Sequence, residues 1–193
     1  MASFSKDLRT IPNIITVSRI ALVIIGVTLF YLGWPLLGVL TGAIAGVTDY
    51  LDGYLARRLN QVTMLGEVLD QFCDIFLESA CILMLIGLPD GPPPWTFFLY
   101  LLREFWVTTI RRLISAKGLN IPSSIFGKLK TNFIGWSFVF YFLHVAHALP
   151  ALEPFIHWIA LFGYYVGLTW SYISLFDYTR SFIRLYPEAT ARV

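Results

Sequence analysis

Residues 20–48 read IALVIIGVTLFYLGWPLLGVLTGAIAGVT and contain no Asp, Glu, Lys or Arg. Residues 131–152 and residues 154–176 lack the same four residue types. A helix needs roughly 20 apolar residues to cross the hydrocarbon core of a bilayer, and each run is long enough. Charged residues make up only 13% of the chain, whereas a soluble domain carries about 25%. The outer helices of a soluble protein need polar faces, which these runs lack, so the sequence predicts a membrane protein.

Turn signals rich in Gly, Pro and polar residues divide the chain into six hydrophobic segments. The fold class that this pattern predicts is all-α, a polytopic membrane protein with six transmembrane helices. Residues 2–10 mix apolar and charged positions, so we expect a short N-terminal interfacial segment there. The chain shows no internal repeat and no linker, which predicts a single membrane domain over residues 1–193. The predicted helices are 13–32, 35–57, 65–87, 94–116, 129–148 and 154–179.

The positions of the 14 Lys and Arg residues predict the orientation of these helices. The first, third and fifth connections contain no Lys or Arg, and the cations lie in the two tails, the second and fourth connections or the helices that adjoin them. By the positive-inside rule, both termini and those two connections face the cytoplasm. An even number of helices is consistent with both tails on one side of a cell membrane.

Two pairs of carboxylates stand where the second and third predicted helices meet their connection. Asp49 and Asp52 are three residues apart, Asp70 and Asp74 are four apart, and each spacing places a pair on one helix face. Four facing carboxylates repel one another unless cations neutralise them, and oxygen ligands suit hard ions such as Mg²⁺, Mn²⁺ or Ca²⁺. The alternative is a salt-bridge network with Arg57 and Arg58, but two bases do not balance four acids.

The residues around these acids form a longer pattern. From Asp49 the chain reads DYLDGYLAR, followed by eight residues, Gly66, three residues, Asp70, three residues and Asp74. This series matches the signature D-x-x-D-G-x-x-A-R-x8-G-x3-D-x3-D at every fixed position, and the chain therefore resembles the CDP-alcohol phosphotransferase family. The residue types also suit a nucleotide, because Gly53 lets a phosphate approach the backbone and Arg57 can bind it bidentately.

The resemblance implies a homodimeric, six-helix membrane enzyme of the cell (inner) membrane that takes CDP-diacylglycerol as donor and has no nucleic-acid partner. Its active site would open to the cytoplasm and would hold two divalent ions, Mg²⁺ or Mn²⁺. An acceptor hydroxyl would attack the β-phosphorus of the donor, and CMP would leave. The roles that the resemblance carries over are metal ligation by Asp49, Asp52, Asp70 and Asp74, catalysis by Asp74 as general base, and CDP binding by Gly53, Ala56, Arg57 and Gly66.

Less specific similarities over residues 11–16 with Arg19, 103–105, 127–131 and 169–171 point to family members whose acceptor is glycerol 3-phosphate. One departure is Ile134, where such relatives often carry Gln. Inositol phosphate, serine and phosphatidylglycerol stay open as acceptors. A phosphorylated acceptor needs cations near the metal site, and the candidates are Lys130 and Arg111, then Lys128 and Arg112. The alternative is that these four residues are ordinary contacts to anionic lipids.

Buried charges outside the signature are expected to have partners. We expect Arg103 to pair with Glu78 or Glu104, while Thr16 and Arg19 either reach the donor or brace the site. Two other classes of protein use intramembrane carboxylates. A membrane prenyltransferase would carry two separate Asp-rich motifs and more helices, and a cation or proton transporter would need polar groups across the whole bilayer.

Overall fold

The computed structural model describes residues 7–147 and 149–191. Within these ranges the structure is helical, with six helices of at least 21 residues and a short 3-10 turn at Pro150–Leu152. The predicted all-α class is confirmed. The predicted interfacial segment at residues 2–10 lies mostly outside the described residues. The helices are α1 (Ile11–Tyr31), α2 (Pro35–Arg58), α3 (Met64–Ile86), α4 (Trp95–Ser115), α5 (Ile125–Val145) and α6 (Glu153–Ala191).

Two of the described helical segments are long and apolar enough to cross a membrane, Ile11–Tyr31 and Phe155–Ala191. This apolar character supports a membrane protein, and the number of six transmembrane helices stays a prediction. Five of the predicted helices agree with the structure to within four residues at either end. The sixth was predicted to end at residue 179, but α6 continues to Ala191.

The chain divides into two compact units, residues 1–90 and residues 91–193. Whether they form a single functional domain stays a prediction. In the first unit, α1 packs along both α2 and α3, which touch each other only slightly. A small core takes Val23 from α1, Ala45 from α2 and Ala80 from α3. Helix α1 is therefore the element that holds the two acid-bearing helices together.

The crossing of α1 and α2 depends on small residues. A Cβ atom at Gly38 would lie 2.6 Å from the carbonyl oxygen of Gly26 and 2.9 Å from the Cβ of Phe30. Helices approach this closely only where a side chain is missing from the contact. The close crossing brings polar residues near the start of α1 within reach of the last two turns of α2.

In the second unit, α6 packs against α4 and α5. The C-terminal extension of α6 belongs to a buried apolar cluster in which Tyr178 and Ala189 meet Ile114 and Ile121. This packing explains why α6 continues beyond the apolar run of residues 154–176 to Ala191. Tertiary contacts stabilise a helix more than the propensities of its residues do.

Candidate active site

Three of the four signature carboxylates converge in the first unit. Asp49, Asp70 and Asp74 each offer a carboxylate oxygen, and these three oxygens lie within 4.8 Å of one another. The side chains are 45%, 53% and 56% exposed, so the cluster is open on one side. Asp52 lies deeper and is only 4% exposed. The structure thus brings both acid pairs together, as their spacing predicted.

A guanidinium group stands at the floor of this cluster. Arg19, on α1, is fully buried, and its Nη1 lies 2.5 Å from Asp49 Oδ1 while its Nη2 lies 2.5 Å from Asp52 Oδ2. The same Nη1 is 3.5 Å from Asp74 Oδ1 and 3.9 Å from Asp70 Oδ1. In the described part of the chain Arg19, rather than Arg57 or Arg58, pairs with the acids.

Asp52 is fixed by two donors on one oxygen. The hydroxyl of Thr16 donates a hydrogen bond of 2.7 Å to the Oδ2 atom that also accepts from Arg19. Of the two roles left open for Thr16 and Arg19, these contacts favour bracing of the carboxylates. The sequence signal for this role is a single arginine in an apolar helix, which must find partners inside the protein.

The donor set of the cluster fits a hard divalent cation. Carboxylate oxygens are the ligands that Mg²⁺ and Mn²⁺ prefer in proteins. Oxygens within 4.8 Å of one another can share an ion at metal–oxygen distances near 2.1 Å after small side-chain movements. A cationic guanidinium already lies among these groups and neutralises part of their negative charge.

A cavity of about 350 Å³ adjoins the carboxylates. This volume lies within the range of roughly 300–1,000 Å³ that is typical of ligand sites. Asp52 and Asp70 line the cavity, and so do two residues that sequence reasoning missed, Asn13 and Thr63. All four predicted CDP-binding residues also line it: Gly53, Ala56, Arg57 and Gly66.

The two glycines in the wall of the cavity differ in their surroundings. A Cβ atom at Gly66 would lie 2.6 Å from Asn13 Oδ1 and 3.2 Å from Thr63 Oγ1. Thr63 caps α3 by accepting a hydrogen bond of 3.0 Å from the Gly66 amide, and Asn13 donates to the same hydroxyl at 3.1 Å. A Cβ atom at Gly53 would make only an ordinary contact, 3.7 Å from Arg57 Nη1. A side chain at Gly66 would therefore displace the Asn13 amide in the cavity wall, whereas one at Gly53 would only take up space beside Arg57.

We expect Gly66→Ala to raise the apparent KM for the cytidine-containing donor by roughly tenfold, because Asn13 has to move and the cavity wall shifts with it. The measurement is steady-state CMP release at varied donor concentration. Gly46→Ala on α2 is the matched control, since a Cβ atom there meets nothing within 4 Å. A normal KM in the Gly66 variant would contradict the predicted role of Gly66 in donor binding.

The predicted acceptor-phosphate residues lie in the second unit. Lys130 is only 4% exposed, and its Nζ lies 2.7 Å from Glu104 Oε1. Arg111 lies over the ring of Tyr178, with 5.8 Å between the guanidinium carbon and the ring centroid. Lys128 and Arg112 are exposed. Their role in binding an acceptor stays a prediction.

The expected pairing of Arg103 with Glu104 is confirmed. Arg103 Nη1 lies 2.5 Å from Glu104 Oε1, and its Nη2 donates a hydrogen bond of 2.7 Å to Ser174 Oγ. Glu104 therefore holds two buried cations, Arg103 and Lys130, through one carboxylate oxygen.

Comparisons with known proteins agree with the signature. A family model described as CDP-alcohol phosphatidyltransferase matches residues 9–166. The chain is 36% identical over 124 residues to a CDP-diacylglycerol–glycerol-3-phosphate 3-phosphatidyltransferase of Rickettsia bellii, covering 63% of this chain and 68% of the relative. It is 37% identical over 136 residues to the protein of the same name in Bacillus subtilis, covering 63% and 70%. A CMP-forming cardiolipin synthase of Streptomyces coelicolor is 33% identical over 167 residues, covering 78% and 69%.

Proposed function

This chain belongs to the CDP-alcohol phosphatidyltransferase family, and we propose that it transfers the phosphatidyl group of CDP-diacylglycerol to glycerol 3-phosphate, forming phosphatidylglycerophosphate and CMP. The observation that carries the proposal is the continuity between the carboxylate cluster and the cavity. Asp70 belongs to both, and the other lining residues include Asp52, which lies beneath the cluster, and Gly53, Ala56, Arg57 and Gly66. The relatives from Rickettsia bellii and Bacillus subtilis support glycerol 3-phosphate as the acceptor.

In this proposal the cytidine diphosphate part of the donor enters the cavity. Gly53 leaves space for a phosphate beside the Arg57 guanidinium, which can donate two parallel hydrogen bonds to phosphate oxygens. Asp49, Asp52, Asp70 and Asp74 hold two divalent ions, Mg²⁺ or Mn²⁺. When bound, such ions neutralise the charge that develops on the diphosphate oxygens.

The reaction forms one oxygen–phosphorus bond and breaks another. The acceptor hydroxyl oxygen attacks the β-phosphorus, the bond from that phosphorus to the bridging oxygen breaks, and CMP leaves with the bridging oxygen. The hydroxyl proton passes to the Asp74 carboxylate, which acts as general base. Asp74 is suited to this role because its side chain is 56% exposed at the open side of the cluster, where a substrate hydroxyl can reach it.

For the acceptor phosphate we propose Lys130 and Arg111, with Lys128 and Arg112 as further candidates. Arg111→Gln tests this assignment without removing a buried ion pair, because Arg111 is exposed. We expect the KM for glycerol 3-phosphate to rise about tenfold while the KM for CDP-diacylglycerol changes little. Arg184→Gln, another exposed arginine of the second unit, is the control and should change neither value. Equal effects on both KM values in the Arg111 variant would contradict the assignment.

The cardiolipin synthase of Streptomyces coelicolor, which matches over 78% of this chain, favours phosphatidylglycerol as a second candidate acceptor. The deciding experiment supplies the purified protein with CDP-diacylglycerol and, in turn, glycerol 3-phosphate, phosphatidylglycerol, inositol phosphate and serine. Of the four acceptors, we expect only glycerol 3-phosphate to give a lipid product. The lipid and the released CMP are identified by mass spectrometry. Cardiolipin as the main product would favour the second candidate, and no CMP with any acceptor would contradict the family chemistry.

We further propose that all six helices span the cell membrane, with both termini and the active site on the cytoplasmic side, and that the protein is a homodimer. The absence of Lys and Arg from the first, third and fifth connections supports the orientation. The test introduces a cysteine at Asn60 or at Asp90, which lie in consecutive connections, and labels it with a membrane-impermeant maleimide. The parent protein, whose Cys73 and Cys81 are buried, is the blank. The two positions should be labelled from opposite sides.

A further inference from the structure

The Nη1 atom of Arg19 is the common neighbour of three carboxylates. It lies 2.5 Å from Asp49 Oδ1, 3.5 Å from Asp74 Oδ1 and 3.9 Å from Asp70 Oδ1. These are the same three residues whose oxygens gather within 4.8 Å of one another and suit a cation. An ion bound to all three residues needs the space between their oxygens, at about 2.1 Å from each. Nη1 and a divalent cation therefore compete for one place.

The contacts of the Arg19 guanidinium would allow a cation to displace its Nη1 group. Its guanidinium is held through its two Nη groups, and the buried Nε–H finds no hydrogen-bond acceptor within the described residues. The carboxylates themselves are thus what keeps Nη1 in the cluster. Nη2 has a separate anchor on Asp52 Oδ2, an oxygen that Thr16 also binds. Nη1 can leave the cluster while Nη2 stays on Asp52.

The charges point the same way. When ionised, the four carboxylates carry four negative charges, and Arg19 is the cation paired with them in the described part of the chain. Without Arg19 these charges would repel one another whenever no ion is bound, and Asp52, the buried carboxylate of the four, would lose its charged partner, which is strongly destabilising. Two divalent ions would balance the same four charges without help, and Arg19 would then repel them.

We infer that Arg19 is the internal counter-ion of the metal-free site and that its Nη1 group must withdraw when the site takes up a divalent cation. This inference rests on the metal site of the proposed function. Arg19 is a positioning residue in this scheme. It keeps the four carboxylates together before loading, and it weakens ion binding because it has to be displaced.

The test compares the parent protein with Arg19→Gln in Mn²⁺ titrations followed by electron paramagnetic resonance and in thermal unfolding. We expect the dissociation constant for Mn²⁺ to fall by about tenfold, because ion binding no longer displaces a guanidinium. In excess chelator the Tm should fall by about 6 °C or more. In saturating Mg²⁺ the fall should be less than half as large, since the ions replace the lost positive charge.

Two further variants separate charge from burial. Arg19→Lys keeps the positive charge, and its Mn²⁺ affinity should stay within about threefold of the parent value. Arg103→Gln removes another buried arginine, from the other unit, and its Tm should fall by the same amount with and without metal. If Arg19→Gln unfolds without metal, it can be purified in Mg²⁺ and stepwise chelated, and we expect unfolding at a free Mg²⁺ concentration that the parent tolerates.

Weaker or unchanged Mn²⁺ binding in Arg19→Gln would overturn the inference, because it would make Arg19 a support of the ligands rather than a competitor of the ion. Equal falls in Tm in chelator and in Mg²⁺ would overturn it as well. Failure of the parent protein to bind Mn²⁺ at all would overturn the proposed metal site itself. The parent titration therefore distinguishes the failure of the proposed function from the failure of this inference.

Discussion

Asp74→Asn is expected to lower kcat for CMP release by about 10³-fold, within the range that general-base catalysis contributes. Asn has the same shape as Asp but cannot accept the proton of the acceptor hydroxyl. Because the side chain is more than half exposed, the substitution leaves no buried charge unpaired and the protein should still fold. The measurement is steady-state kinetics with CDP-diacylglycerol and glycerol 3-phosphate at saturating Mg²⁺, together with the KM for the donor, which should change by less than about threefold.

Two further variants separate the loss of the general base from other effects of the substitution. Asp70→Asn, one turn earlier on α3, removes one proposed metal ligand, whereas Asp74→Asn removes both a proposed ligand and the base. We therefore expect the activity of Asp70→Asn to recover partly at high Mg²⁺ and that of Asp74→Asn not to recover. Asp90→Asn makes the same chemical change at an exposed position near the end of the first unit and should have full activity. Turnover by Asp74→Asn within about tenfold of the parent would contradict the role of Asp74 as base.

Local spacing predicted most of the candidate site. Asp49 and Asp52 share one face of α2, and Asp70 and Asp74 share one face of α3, because residues three or four apart on a helix point the same way. A short connection between α2 and α3 leaves the two pairs at similar depth. The convergence of the carboxylates therefore follows from helical geometry and one turn, and both can be read from the sequence.

The side chains that α1 contributes to the candidate site could not be predicted from local spacing. Arg19 and Asn13 reach the site only because α1 packs along both α2 and α3, and that packing depends on the close approach of Gly26 and Gly38. The apolar pattern shows that Arg19 needs a partner. Which of the acids it would meet depends on the rotation of α1 about its axis, which a helix with apolar residues on every side does not specify.

The end of α6, in the second unit, also depends on packing that the sequence does not predict. The apolar run stops at Phe176, yet Phe182 and Leu185 extend the helix by packing onto the cluster that contains Ile114 and Tyr178. The sequence contains the 3.6-residue spacing of these positions. It does not show that α4 and the segment after it supply a surface for them, since that surface forms only when the unit folds.

Glu104→Gln is expected to cause the largest loss of stability, roughly 3–5 kcal/mol, because breaking a buried ion pair leaves an uncompensated charge. Glu104 is 8% exposed and is the acceptor for two buried cations, Arg103 at 2.5 Å and Lys130 at 2.7 Å. Gln can still accept a hydrogen bond, but it carries no negative charge to balance them. The measurement is thermal or denaturant unfolding of the purified protein, followed by tryptophan fluorescence.

A second variant tests whether the loss comes from unpaired charge or from altered shape. Replacing the group together, with Arg103→Leu, Glu104→Leu and Lys130→Met, removes every charge, and we expect stability to return to within about 2 kcal/mol of the parent. Activity should not return with it, because Lys130 is a proposed contact of the acceptor phosphate. A triple variant that is stable but inactive would show that the buried charges are kept for function. If instead Glu104→Gln unfolded at the same temperature as the parent, Glu104 would not be neutralising Arg103 and Lys130.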